Sequence, residues 1–593
     1  MRVCDVITKF IVSTGIHEVF MFPGGGNKFL IDGLASNQEI HPVSCHHEQA
    51  VAMSVVGYAK YKGMGYGMVT TGCGGTNTIT GVLDAWQDST ACMFISGQCH
   101  SKQIIKSVDV PVRQIGIQEA DIVTIVSSIT KYAVMLEKPE DILYELEKAY
   151  YIAREGRPGP VWLDIPLEMQ AAEVEEAKLR HFEKSEYSSE YISKLETDDI
   201  EEVYELLKNA KRPVVLGGQG IRLSGAVEEF ETFVGHFDMP AVFSRMGKDS
   251  LLATSKYYLG AIGNHGNRTG NITLQNADVL LVLGSRLGIN AVGYSYDLFA
   301  REAKVIVVDI DKNEHSKNTV HIEKFIQSDI QVFLQKMLEK EQTEHKEWMD
   351  ICMELKENYP ACPKEYYNDE EGVSMHALVR EISKSLPEDA SVCTDAGSAF
   401  YIGGQITELN NRKQRYITSG GQAEMGFALP AAVGVSLASG KKEAIVVTGD
   451  GSFMLNMQEM QTMAGYHLPI KVFVCNNNGY MGIRQMQGGL GQHLIGVDPE
   501  HGLGFPDFEK LAEGFRVKYY RITTVQELVE YLPEIHDYDG PVLCEVICWK
   551  DEPVAAAGTK AMPDGSRKQV LEDMVPYLSR EEFKKVMHVK CVD

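Results

Sequence analysis

The stretch from Ala444 to Tyr480 constrains this chain more than any other, because it reads as strand, polar loop, helix and strand with a metal-ligand side chain at the end of each strand. Ala444-Ile-Val-Val-Thr is an apolar run of strand length that stops at Gly449-Asp450-Gly451, where glycines let the backbone turn and approach a ligand closely. A helical segment follows from Phe453 to Tyr466 and is broken at Leu468-Pro469, and Ile470 to Cys475 gives a second buried strand that ends in Asn476-Asn477-Asn478-Gly479-Tyr480. Strand, helix and strand imply a parallel pair with a right-handed crossover, so Asp450 and Asn477 reach the same edge of the sheet. That edge is where open parallel sheets bind ligands. A carboxylate and an amide carbonyl are hard oxygen donors of the kind Mg2+ takes when it bridges protein to phosphate.

The separation, 477 − 450 = 27 residues, resembles the thiamine diphosphate motif, in which Gly-Asp-Gly is followed after this interval by Asn-Asn. The resemblance implies thiamine diphosphate held through Mg2+, with Asp450 and Asn477 ligating by side chain and Gly479 by its carbonyl. Gly449, Gly451, Ser452 and Met481 would border the cofactor.

Other segments match the family in order. The strand Pro42 to His47 leads into a helix whose first residue is Glu48, and His47-Glu48-Gln49-Ala50 resembles the family segment whose glutamate contacts the aminopyrimidine ring. By that likeness Glu48 is the catalytic acid, with the raised proton affinity of a buried carboxyl; an acid in a helix's first turn also serves the helix dipole. Pro23-Gly24-Gly25-Gly26 ends an earlier strand, and Gly25 there would approach the ring. Thr70 to Asn77 is similar to the family's glycine-rich turn, with Cys73 for proline and Gly75 for alanine. Gln118, in Gln118-Glu119, would line the substrate cavity, although Ile117 stands where the family has phenylalanine. Downstream, a strand ending in Asp395 leads to Ala396-Gly397-Ser398, whose small residues and free backbone N–H groups would suit a diphosphate. Gly420-Gly421-Gln-Ala-Glu-Met425-Gly closely resembles the acetolactate synthase group, in which the residue at Met425 holds the cofactor bent.

The alternation of strands and helices predicts an α/β protein of three doubly wound parallel sheets: a pyrimidine-binding domain over 1–170, a central domain over 195–340 and a diphosphate-binding domain over 372–550. The length of 593 residues by itself allows about four domains. Residues 551–593, rich in turn formers, read as an exposed tail or a lid over the site. In acetolactate synthases the central domain holds FAD. Gly217 to Gly220, Gly263 to Gly266 and Gly284 to Arg286 resemble its binding segments, and Asp309 and Asp311 at a strand end could hold a ribose. The family's Phe-Asp-Asp-Arg continuation is replaced by Leu287-Gly-Ile-Asn290, so FAD and an empty spacer both stay open.

A formal charge of −25 opposes general binding to nucleic acid or an anionic membrane, since both need a positive field. No apolar run approaches a membrane span, and strand and helix signals begin at the N-terminus, so a cytoplasmic protein without a signal peptide is expected. The twelve cysteines, Cys73, Cys92, Cys475 and Cys544 among them, form no Cys-x-x-Cys pair and read as reduced thiols.

The resemblance as a whole implies decarboxylation of a 2-keto acid such as pyruvate and ligation of the remaining unit to a carbonyl acceptor, in a homodimer or homotetramer that builds each site from two subunits. Met486 lies in Gln485-Met-Gln487 where typical acetolactate synthases carry tryptophan, so the acceptor need not be a second keto acid. Two further readings stand beside this one: acyl transfer to a keto sugar nucleotide or another aldehyde or ketone, and a non-catalytic cofactor-binding subunit.

Overall fold

The computed structural model describes residues 1–491 and 493–592. The first sheet contains β1 (Glu18–Met21), β2 (His41–Ser44), β3 (Gly65–Val69), β4 (Cys92–Gln98), β5 (Tyr132–Met135) and β6 (Val161–Pro166), in the spatial order 2-1-3-4-6-5. The second contains β7 (Pro213–Gly217), β8 (Ala241–Phe243), β9 (Tyr258–Ala261), β10 (Val279–Leu283), β11 (Lys304–Asp309) and β12 (Lys324–Gln327), in the order 12-11-10-7-8-9. The third contains β13 (Ser391–Thr394), β14 (Arg415–Thr418), β15 (Ala444–Gly449), β16 (Ile470–Asn476), β17 (Lys518–Ile522) and β18 (Val542–Ile547), in the order 14-13-15-16-18-17. Every pairing in these sheets is parallel.

Counted from its own first strand, the third sheet repeats the order of the first. The second has the order of the dinucleotide-binding fold. Strands such as β10 and β15 are apolar along their length because helices cover both faces of each sheet. In the first and third sheets the chain reverses its direction of winding between the first and third strands, and this switch point opens a crevice at the carboxyl edge. The crevice lies between Gly24–Gly26 and Thr70–Gly72 in the first sheet, and between Asp395–Ser398 and Gly449–Ser452 in the third.

The equivalent helices of the two sheets pack on each other. Helix Glu48–Lys62 is buried almost all round, because its second face meets helix Ala428–Ala438. A Cβ on Gly57 would stand 2.3 Å from the Ala431 carbonyl oxygen, and one on Gly434 would stand 2.0 Å from that of Ser54. The missing side chains set the approach of the two backbones. Ser54 Oγ donates to the Pro430 carbonyl across the same seam at 2.9 Å.

Two expectations change. The helix expected over Phe453–Tyr466 is broken into Asp450–Phe453, a 3-10 turn at Met457–Glu459 and Met460–Gly465. Asn456 interrupts it, because its amide is drawn to Gln49 Oε1 at 3.1 Å and to the Gly426 carbonyl at 2.9 Å. The C-terminal segment is not a loose tail. Its strands β19 (Ala556–Ala561) and β20 (Arg567–Val575) form an antiparallel hairpin, and helix Arg580–Val586 follows. The hairpin docks on the central domain, where Asn271 Nδ2 donates to the Leu571 carbonyl at 3.0 Å and Arg301 pairs with Glu572 at 2.8 Å.

Candidate active site

In the first sheet Glu48 opens its helix behind His47, whose ring nitrogen caps the Gln49 amide at 3.0 Å. Only 7% of Glu48 is exposed, and its Oε2 accepts a hydrogen bond from Asn77 Nδ2 at 3.0 Å. Asn77 closes the Thr70–Asn77 turn, so the switch-point loop orients the acid that the neighbouring strand delivers. Gly24 and Gly26 are packed so closely on Thr70 and Thr71 that a Cβ would collide, whereas Gly25 faces open space. Gln118 stands on an exposed loop in the left-handed conformation, φ +61°, and its backbone carbonyl lies over Gly72. The carboxylate of Glu119 gathers the amides of Ile105, Ile115 and Gly116 and fixes that loop.

In the third sheet β15 and β16 pair in register from Ala444↔Ile470 to Gly449↔Cys475, which brings Asp450 and the Asn477 loop to one level. Asp450, 1% exposed, accepts from Gly451 N at 2.6 Å and from Gly479 N at 2.9 Å. Burial pushes its carboxyl up to about 6, against those backbone donors. Asn477 is buried beside it. At φ +144° with the Val497 carbonyl 2.0 Å from where a Cβ would be, position 479 admits only glycine.

The other expected residues gather at this edge. Gly397, at φ +62° with open space beside it, and Ser398 begin helix Gly397–Ile406. Ser452 Oγ accepts from Gly426 N at 2.9 Å, which ties the Met425 segment to the Asp450 loop. Gly449 borders open space, whereas Gly451 is closed off by the Tyr480 ring. Met481 is buried, and its sulfur accepts from Glu552 N at 3.1 Å. Asp395, which sequence reasoning quoted only as a strand end, is buried at the crevice with Thr448 Oγ1 on Oδ2 at 2.9 Å and with Oδ1 unpartnered. Burial pushes this carboxyl up to about 7. Asn77, which touches Glu48, is the other group at the site that the sequence motifs did not single out, and its place at the end of the Thr70–Asn77 motif was the available signal.

The two half-sites touch through their flanks. His46 N donates to Glu459 Oε1 at 2.9 Å, and Gln49 meets Asn456.

Three family models match in the same order as the three sheets: the thiamine pyrophosphate enzyme N-terminal TPP binding domain over residues 1–124, the central domain over 200–337 and the C-terminal TPP binding domain over 395–546. The acetolactate synthase large subunit of Lactococcus lactis is 32% identical over 563 residues, 93% of either chain. That of Corynebacterium glutamicum is 31% identical over 94% of this chain and 89% of its own, and the isozyme 2 large subunit of Escherichia coli is 30% identical over 90% and 93%. The chain belongs to the acetolactate synthase group of thiamine pyrophosphate enzymes. As a member it is a thiamine pyrophosphate-dependent enzyme acting on small keto acids, and the non-catalytic reading falls away. The residues fit the cofactor: the crevice holds an open glycine at a helix start and, beside it, a loop of hard oxygen donors around the buried Asp450.

In the central domain a cavity of about 890 Å³ lies at the carboxyl ends of β7, β10 and β11, lined among others by Gly220, Ser285, Arg286 and Asp309. The two strand-end acids part company here. Asp311 is taken up by Arg157 at 2.9 Å and by the amides of Asn313 and Glu314, while Asp309 borders the cavity. Among the described residues no helix is long and apolar enough to cross a membrane.

Proposed function

We propose that the enzyme decarboxylates a 2-keto acid, pyruvate first among them, and joins the remaining two-carbon unit to a carbonyl acceptor. The observation that carries the reading is the buried Glu48–Asn77 pair on one sheet, together with the Asp450 loop on a sheet of the same topology. Thiamine pyrophosphate, when bound, supplies the electron sink for loss of carbon dioxide. Glu48 holds and moves a proton at a ring nitrogen from a site with little water, and Asn77 keeps its Oε2 oriented. Asp450, Asn477 and the Gly479 carbonyl offer Mg2+ the oxygen donors it takes beside phosphates. Gly25, Gly397, Ser398, Met425, Gly449, Gly451, Ser452 and Met481 border the cofactor, and Gln118 serves the substrate side.

The central cavity takes a dinucleotide such as FAD, a reading supported by the strand order of the second sheet and by glycines packed at its switch point. The active assembly is a homo-oligomer of two or four chains with the site shared between subunits. Apolar side chains exposed on the lips of both half-sites, from Val110 to Ile117 (88% exposed) on one and at Ile483, Leu490 and Ile495 on the other, support a covering partner. Cytoplasmic placement is supported by the free thiols at Cys73, Cys92, Cys475 and Cys544.

Met486 favours a second acceptor class. It is 53% exposed on helix Met481–Gly489 and presents no flat ring, leaving room for a keto sugar nucleotide or another aldehyde or ketone. Product analysis from pyruvate alone, and then with a panel of carbonyl acceptors, tests both. Acetolactate from pyruvate alone supports the first reading, and pyruvate consumed only with a second carbonyl supports the other. No consumption of any 2-keto acid by the loaded enzyme refutes both.

A further inference from the structure

Where the first and third sheets meet the central domain, four ionisable side chains cluster with little access to water, Glu424 partly buried and the others nearly enclosed. Lys60 and the acids Asp84 and Asp88 come from the first sheet, and Glu424 comes from the segment that ends in Met425. Lys60 Nζ donates to Asp88 Oδ2 at 2.7 Å and to the Thr418 carbonyl at 2.7 Å, and stands 3.4 Å from Asp84 Oδ2. Asp88 also accepts from Gly420 N at 2.7 Å and Gly421 N at 2.8 Å, so its charge is fully engaged. One ammonium faces three carboxyl groups.

The buried hydroxyl of Ser419 decides which of them is ionised. Ser419 Oγ meets Asp84 Oδ1 at 2.7 Å, meets Glu424 Oε2, and accepts from Ala423 N at 3.0 Å. A serine hydroxyl has a single hydrogen to give. It can serve one carboxylate, so the second carboxyl must bring its own proton to the contact. Asp84 faces Lys60 directly and is the one to keep its charge. Glu424 has its other oxygen, Oε1, buried without a partner, which an ionised carboxylate tolerates poorly. Burial raises the proton affinity of Glu424 and, more strongly, that of the fully enclosed Asp84, where the facing Lys60 ammonium opposes the shift.

We propose that Glu424 carries a proton at neutral pH and acts as a pH-sensitive positioning residue for the Ser419–Met425 segment, whose hold on thiamine pyrophosphate weakens when that proton leaves. The geometry links the two ends of the claim. Ala423 is held in the left-handed conformation, φ +50°, between the Ser419 hub and Glu424, and Gly426 N is fastened to Ser452 beside the Asp450 loop. Ionised Glu424 would place a second charge beside Asp84 and remove the donor that closes the hub, releasing the turn that presents Met425. The idea rests on Met425 bordering the cofactor, and two readouts keep its failure separate from that of the cofactor reading.

Infrared difference spectra of the full chain without cofactor read the proton directly. The un-ionised carboxyl band that Glu424→Gln removes is expected at neutral pH in the wild type and should fade on alkaline titration. If Asp84→Asn removes that band and Glu424→Gln does not, the assignment is overturned. Calorimetric titration with thiamine pyrophosphate and Mg2+ reads the consequence. Wild-type affinity should fall up to ~10-fold per pH unit above the titration of Glu424, and Glu424→Gln, a neutral donor of the same shape, should abolish that fall. A wild-type affinity indifferent to alkaline pH, or a Glu424→Gln profile that follows the wild type, overturns the proposal. Absence of cofactor binding at any pH refutes the cofactor reading instead, and the infrared arm still tests the proton.

Discussion

The first and third sheets share one strand order and pack through equivalent helices, yet each offers at its edge what the other lacks. In the first, the acid stands at the start of the helix after the second strand, where Glu48 meets Asn77. In the third, the equivalent helix begins with Phe427 and Ala428, and the acid has moved to the next strand, where Asp450 is wrapped in backbone amides. A helix-start carboxyl held by one side-chain amide keeps a face for exchanging a proton. A carboxyl surrounded by a glycine loop is fixed in place by amides that favour its charged form against burial. On the proposed reading the same scaffold separates proton transfer from anchoring, and substitutions in the two copies should fail in different ways.

Glu48→Gln should produce the largest loss. Removing a positioned acid costs ~10²–10⁴-fold in rate, whereas the glutamine can still accept the Asn77 bond, so cofactor affinity should change far less. Keto acid consumption beside calorimetric affinity measures both, and an unchanged turnover would take the catalytic role from Glu48. Asp450→Asn should do the reverse. Loss of the charged metal donor should weaken Mg2+-dependent cofactor binding by at least ~10–100-fold, while thermal unfolding of the cofactor-free chain stays close to wild type. Equal affinity would remove Asp450 from the anchoring site.

These two positions were legible in the sequence because each closes a contiguous run. An apolar strand, a glycine turn and a fixed interval to the next strand place Asp450 and Asn477 with no knowledge of the rest, and Glu48 follows a strand directly into a helix. What stayed hidden depends on partners far along the chain. Gly57 and Gly434 carry no local signal and acquire their purpose only where Ala431 and Ser54 press against them. Asn456 looked like part of one long helix until Gln49 claimed its amide, and Asp311 passed for a ribose acceptor until Arg157 occupied it. The C-terminal hairpin carries only turn residues as a local signal. Its docking partners Asn271 and Arg301 lie roughly 300 residues earlier.

The seam between the copies gives the third test. Gly434→Val forces side-chain atoms onto the Ser54 carbonyl and should cost ~1–3 kcal/mol or more by overpacking. Gly465→Ala, with nothing near its Cβ position, should be neutral or slightly stabilising, since alanine favours the helix end it occupies. Thermal unfolding of the pair measures the contrast, and equal midpoints would mean that the two sheets do not lean on that approach.

The smallest effect, read per pH unit, distinguishes the two copies once more. Each buries an acid near the end of a strand that burial pushes up to about 7: Asp164 on β6, accepting from Ser96 Oγ at 2.6 Å and Gln98 Nε2 at 2.8 Å, and Asp395 after β13. An acid whose proton affinity is higher folded than unfolded keeps a proton that the unfolded chain has released, so stability falls as pH rises from about 4 to about 7 and is level above that. The slope is at most ~1.4 kcal/mol per pH unit for each acid. Asp164→Asn should remove its share of that slope, with or without thiamine pyrophosphate, because Asp164 lies within the first sheet on side chains of its own domain. The share belonging to Asp395 should respond to the cofactor, because Asp395 opens the loop to Ser398 beside which the anionic group is to be held. Urea unfolding across this pH range, with and without cofactor, reads the two shares separately. If the cofactor alters the slope equally in wild type and in Asp395→Asn, the crevice of the third sheet is not where the charge is felt.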